Sequence, residues 1–201
     1  IAIRRPDGYV GKPAEAGTEV FAMDTGNSSA TGPAFDSNFV VDFALNREYA
    51  GTDNWATTTR LTERRALYTN STAAQTSAHA YYYDDFNTGW AISMPSNYQS
   101  WMWKRGQGFD VVTWTGENIQ PGVIPHSLGQ APEMMWLRNR GGSDWEVYHK
   151  GLNGGSSPET YSIKLNEYDT EGNISRWYST VPTSTHFTVT KNYFNASNEN
   201  Y

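Results

Sequence analysis

Cysteine is absent from the 201 residues, which excludes a disulfide framework and any thiolate metal site and leaves burial and backbone pairing as the sources of stability. No apolar run approaches the roughly 20 residues of a membrane span, so membrane insertion is not expected. Positive charge is also scarce. The 15 Lys and Arg stand against 21 Asp and Glu, for a net charge of -6, which disfavours binding by neutralisation of phosphates or anionic lipid. Arg4-Arg5, Arg64-Arg65 and Lys104-Arg105 are pairs, too short to track a nucleic-acid backbone, and no nucleic-acid partner is expected. A starting Met, a signal peptide and a lipidation motif are missing, so the chain reads as a mature or excised piece of something longer. Helical signal is thin: residues 61–78 hold some Ala and Gln, but their Thr and Asn content suits turns and short strands.

The period that is present is two. Trp145, Val147 and His149 alternate with Glu146, Tyr148 and Lys150; Tyr161, Ile163 and Leu165 alternate with Ser162, Lys164 and Asn166. Phe187 and Val189 do the same against Thr188 and Thr190. Successive side chains of a strand leave opposite faces, so this is the pattern of half-buried strands. Between the runs lie Gly, Pro, Asn and Asp clusters such as Pro121-Gly122 and Gly141-Gly142, which supply the backbone angles of turns. Many short strands at this spacing predict an all-β, jelly-roll-like sandwich architecture.

The halves of the chain also match one another in order. Val41-Asp42-Phe43-Ala44-Leu45-Asn46-Arg47 with Asp53-Asn54-Trp55 parallels Pro132-Glu133-Met134-Met135-Trp136-Leu137-Arg138 with Ser143-Asp144-Trp145. Downstream, Leu67-Tyr68-Thr69-Asn70 parallels Ile163-Lys164-Leu165-Asn166, and Gly89-Trp90 parallels Arg176-Trp177. Upstream, Thr25-Gly26 parallels Thr115-Gly116. Two tandem related β-sandwich units follow, over residues 1–105 and 106–201, with Trp55 and Trp145 expected as matching anchors.

The ends of this match are offset. Ile1, Ala2, Ile3, Arg4 and Arg5 parallel Trp101-Met102-Trp103-Lys104-Arg105, which closes the first unit, whereas the second unit stops at Asn198, Glu199, Asn200 and Tyr201. Three readings stand side by side: a fragment cut from a longer array, a first segment that folds back on its own chain, or strand exchange. In the last, residues 1–5 of one subunit complete an acceptor edge at residues 198–201 of the next and propagate a fibre. The gain from one such short strand roughly cancels its ordering cost, so further interface is needed.

The stretch 109–145 resembles an uncharacterised repeated β domain of marine bacteriophage tail-fibre and appendage-like virion proteins. The resemblance rests on Gly108-Phe109-Asp110-Val111-Val112, Thr115-Gly116, Ile124-Pro125-His126-Ser127-Leu128-Gly129, Ala131-Pro132-Glu133-Met134, Asp144-Trp145 and Val147-Tyr148-His149-Lys150. It implies a virus-particle surface component and a β-sandwich, and names no ligand.

Catalytic patterns are sparse. His79, His126, His149 and His186 have no metal-ligand spacing, with His126 expected to bond backbone and His149 to be structural. No Gly-x-Ser-x-Gly elbow occurs. Asp84-Asp85, Asp144 with Glu146, and Glu167 with Asp169 could serve as an acid and base, but acids in turns are far commoner. Neither a cofactor nor an enzymatic activity is expected. Aromatics are the conspicuous excess, with 8 Trp, 13 Tyr and 8 Phe. More are present than a core needs. Tyr81, Tyr82, Tyr83, Tyr98 and Trp101 are therefore expected as exposed contacts, since adjacent rings on a strand cannot all face one core. The leading expectation is a structural, self-associating virion or extracellular fibre component. The second is an adhesin that recognises host glycans through these rings.

Overall fold

The computed structural model describes residues 16–83, 86–106 and 108–201. Ile1 to Arg5, expected to form an exchanged strand, and the Asp84-Asp85 pair lie outside the described residues. The protein is mostly β, with 30% strand and 9% helix arranged in several sheets. Among the described residues no helix is long and apolar enough to cross a membrane.

Strands of the first half are β1 (Phe21–Thr25), β2 (Phe35–Asp36), β3 (Phe43–Glu48), β4 (Ala56–Thr59), β5 (Arg65–Tyr68), β6 (Thr76–Ser77), β7 (Gly89–Trp90) and β8 (Tyr98–Trp103). The second half holds β9 (Gly122–Pro125), β10 (Met134–Leu137), β11 (Glu146–His149), β12 (Ile163–Lys164), β13 (His186–Val189) and a single helical turn, α1 (Lys191–Phe194). β1-β8-β3-β4-β5-β6 form one sheet, whereas β10-β11-β12, β9-β13 and β2-β7 form smaller ones. Every ladder pair within them is antiparallel.

Strand alternation decides what each sheet buries. Ala44 of β3 and Met102 of β8 point inward onto Phe35 of β2 and Trp90 of β7, in a cluster that also holds Val41 and Tyr83. Trp90 is fully buried, stacks on Phe35 at 5.6 Å and Tyr83 at 5.2 Å, and donates its indole N–H to Ser100 Oγ at 3.0 Å. That bond satisfies the one polar atom of the ring where water cannot. The second half holds a separate core cluster. Met135, Leu137 and Tyr148 of β10 and β11 meet Ile124, Phe187 and Val189 of β9 and β13 around a fully buried Trp177.

The ladders run in the same register in both halves. Leu45 pairs with Thr57, and Thr57 with Leu67; at the positions matched by sequence, Trp136 pairs with Val147, and Val147 with Ile163. Beyond the ladders, Thr69 N–H donates to Trp55 O at 3.0 Å and Leu165 N–H to Trp145 O at 3.1 Å. The amide of Asn70 donates to Asn54 Oδ1, and that of Asn166 to Asp144 Oδ1. Gly26 and Gly116 are matched as well, donating to Tyr98 O and Glu199 O. A β-carbon at either glycine would fall within 2.2 Å of a backbone carbonyl oxygen, Pro95 O or Ala196 O, so only glycine fits.

Two expectations are corrected here. Tyr83 is not an exposed contact: it is 0% exposed, sealed between Trp90 and β4, and burial holds its hydroxyl well above the ordinary range. Residues 198–201 are not an open acceptor edge either. Gly116 N–H donates to Glu199 O and Tyr201 N–H to Trp114 O on one side, while Arg140 N–H donates to Asn200 O at 2.8 Å on the other. Both flanks of the segment are taken by its own chain.

Candidate functional site

The six-stranded sheet presents its outward side chains as an aromatic face. Phe21 contacts Trp103 at 5.0 Å, Trp103 contacts Phe43 and Phe109, and Trp101 lies 5.0 Å from Trp55. These rings are half-buried or exposed, and Met23, directly across from Trp101, is 65% exposed. The pairing that makes β8 central places Trp101 and Trp103 in the middle of this face. Trp101 is 36% exposed on this face, and Trp55 lies on this outer surface and not in a core.

The matching surface of the second half is covered around Trp145 and Arg138, while Met134 and Trp136 on the same face stay exposed. Trp145 is 6% exposed, and its indole donates to Tyr68 O of the first half at 2.8 Å. Arg138 is 4% exposed, lies 5.3 Å from the Trp145 ring, and donates to the carbonyls of Tyr68, Ser71 and Ala73. Gln75 N–H to Arg140 O and Arg140 Nε to Gln75 Oε1, both 2.9 Å, extend the contact. The loop after β5 is thus clamped onto the outer face of β11. Arg47 repeats the stack of Arg138, lying 5.6 Å from the Trp55 ring. Among the described residues its guanidinium bonds only its own turn, at Glu48 O and Gly51 O.

On the inner face of the same sheet, where β3 runs into the turn before β4, lies a cavity of about 220 Å³ bordered by Asn46, Arg47, Asp53, Tyr68, Tyr81 and Tyr98. Asn46 is 1% exposed; its Nδ2 donates to Tyr81 Oη at 3.3 Å, and among the described residues its Oδ1 has no partner. Tyr98 donates to Asp53 Oδ2 at 2.9 Å. That bond, more than burial, pushes the Tyr98 hydroxyl up to about 12. Burial raises Tyr81, with the Asn46 amide pulling it back. Tyr81 and Tyr98 of the expected contact set come together here, whereas Tyr82 stands apart under Arg64, 4.4 Å away.

The matched corner of the second half has a cavity of about 230 Å³ beside Asp144, Glu146 and Arg176, but its charges satisfy one another. Glu146 accepts from Arg176 Nε at 2.8 Å and from Ser162 Oγ, and the Arg176 guanidinium lies over Tyr193. The Asn166 amide and then Lys164 hold Asp144 below the usual carboxylate range. The Asp144-Glu146 pair is bound up in structural contacts.

His126 bonds Thr183 O at 3.1 Å and accepts from Leu128 N–H, and His149 accepts from Gly151 N–H. Sequence reasoning missed Asn46, Asp53 and Arg138. The one available signal was a polar Asn46 where the matching position holds Leu137. The Domain of unknown function family DUF7483 matches residues 16–201. No curated protein and no solved structure matches the chain. With 16–201 inside that match, the chain belongs to the DUF7483 family.

Proposed function

We propose that the chain is a non-enzymatic structural building block of a virion appendage or extracellular fibre, made of two tandem related β-sandwich modules. The modules assemble through aromatic patches and edge strands. The observation that carries this reading is the unequal fate of two matched faces. The face around Trp145 and Arg138 grips the loop after β5 of the preceding module, while among the described residues no loop is clamped onto the half-buried Trp55 and Arg47. The loop that would match the gripped one, after β12, carries Tyr168 at 100% exposure. A second copy can seat that loop on the Trp55 face, repeating between chains the contact already made within one. Such a contact is head-to-tail and does not close on itself, so it propagates.

Edge pairing supports the same outcome. In the first half β8 covers β3, but in the second β10 is the end strand of its sheet. Among the described residues the outward N–H and C=O groups of Met134 and Trp136 have no backbone partner. The segment Ile1 to Arg5 of another copy, with the pattern of the closing strand of the first module, is the proposed donor for that edge. The resemblance of 109–145 to virion modules supports a particle-surface location. The test is sedimentation and negative-stain imaging of the isolated chain. Concentration-dependent, regular polymers are expected, weakened at least about tenfold by Tyr168→Asp or Trp55→Ala. A monomer at every concentration, or polymers indifferent to both changes, overturns the proposal.

A further inference from the structure

We infer that the cavity of the first module beside Asn46, Tyr81 and Tyr98 is a binding site for one sugar-like polyol unit. The buried Asn46 amide carries the inference. Its Nδ2 bonds Tyr81 Oη, and among the described residues its Oδ1 has no partner, in a position 1% exposed. Leaving such a group unmatched is costly, so the site calls for a ligand atom.

The chemistry of that atom follows from its neighbours. Asn46 Oδ1 needs a donor; Tyr81 already accepts from the amide, and its own hydroxyl hydrogen is free to be given. A single hydroxyl group can donate to Asn46 Oδ1 and accept from Tyr81 at once. A metal cation cannot accept, and a deprotonated anion cannot donate.

The surroundings extend the argument from one hydroxyl to several. The Asp53 carboxylate, fixed by Tyr98 at 2.9 Å, is exposed and keeps acceptor capacity for further hydroxyls. Tyr81 and Tyr98 are half-buried rings beside these polar atoms, and a sugar offers both an apolar ring face and a hydroxyl edge. The cavity, about 220 Å³, falls below the roughly 300–1,000 Å³ of pockets that take drug-sized molecules. One ring, such as a terminal residue of a glycan, suits that size.

The matched position in the second module shows how the site is silenced. Leu137 stands where Asn46 does, and Glu146 where Ala56 does, so the polar atoms there are consumed by the Arg176 pair. That difference also provides a conservative variant.

The experiment titrates the full chain with the methyl glycosides of glucose, galactose, mannose and N-acetylglucosamine, following the Asn46 side-chain amide and nearby backbone amides by two-dimensional NMR. Saturable shifts at Asn46, Tyr81 and Tyr98 are expected with at least one glycoside. Asn46→Leu and Tyr81→Phe should each weaken that binding about tenfold, as loss of one buried hydrogen-bonded pair predicts, with no change in sedimentation. If Asn46→Leu fails to fold, judged by near-ultraviolet circular dichroism, Tyr81→Phe keeps the ring and decides the matter. No saturable shift with any of the four glycosides, or unchanged affinity in Tyr81→Phe, overturns the inference.

Discussion

Replacing Arg138 by Met should loosen the grip between the two halves. The methionine keeps most of the apolar stem volume over Trp145 and deletes the cation that donates to Tyr68 O, Ser71 O and Ala73 O. Hydrogen bonds from a charged group contribute about 1.5–3 kcal/mol each when both partners are buried. Two discounts apply. Ala73 is exposed and Ser71 half-buried, so water replaces part of what their carbonyls lose, and Tyr68 O keeps the indole donor of Trp145. Burial also disfavours the guanidinium itself, pulling its pKa below the ordinary value against the opposing charge of Asp144. Removing it returns that desolvation cost. A net loss of about 2–3 kcal/mol remains. For a chain of this length each kcal/mol moves Tm by about 2–4 °C, so a fall of about 4–12 °C is expected in calorimetry. The melting transition should broaden as the halves unfold less cooperatively. In a double-mutant cycle with Trp145→Phe, the pair should couple by about 0.5–3 kcal/mol, because both donate to Tyr68 O. A Tm within about 1 °C of the parent and zero coupling would refute the reasoning, since the clamp would then contribute nothing to stability.

Two further outcomes follow from matched or perturbed groups. Gly26→Ala and Gly116→Ala should each destabilise by about 3 kcal/mol or more in urea titration, because the new methyl meets a backbone carbonyl that cannot step aside; tolerance at either site would contradict the shared turn geometry. The Tyr98 hydroxyl titrates near 12 in the folded chain and near 10.0 when unperturbed. Its raised value means the stabilisation is fully present below pH 10 and is lost as pH rises toward about 12. Tyr98→Phe should flatten the urea midpoint across that window, and an unchanged alkaline slope would count against the Asp53 bond.

Much of the first-order pattern was legible because strand register is a local property. Thr57 and Val147 fall opposite Leu45 and Trp136 where the self-match of the sequence places them, since the residue spacing between facing strands sets the ladder. The candidate cavity was half legible. Tyr81 and Tyr98 were singled out as surplus aromatics, but nothing in their spacing brings Asn46 and Asp53 beside them; that takes the pairing of β3 with both β4 and β8. In β11 the alternation was visible but its inward side was not. Tyr148 faces the core cluster, whereas Val147 and Trp145 are buried on the other face.

The sequence by itself determined the β class, the turn positions, the absence of cross-links and the correspondence of ladder positions between halves, because a period of two and glycine-bearing turns act through neighbouring residues. Only the tertiary structure decided which of the adjacent tyrosines is sealed and that the last four residues pair inside their own chain. It also decided that Trp145 is gripped by the loop after β5, whereas among the described residues no loop is clamped onto Trp55. These outcomes depend on what docks against a face, and docking joins groups some 70 residues apart, such as Tyr68 and Arg138, through contacts that no local pattern encodes.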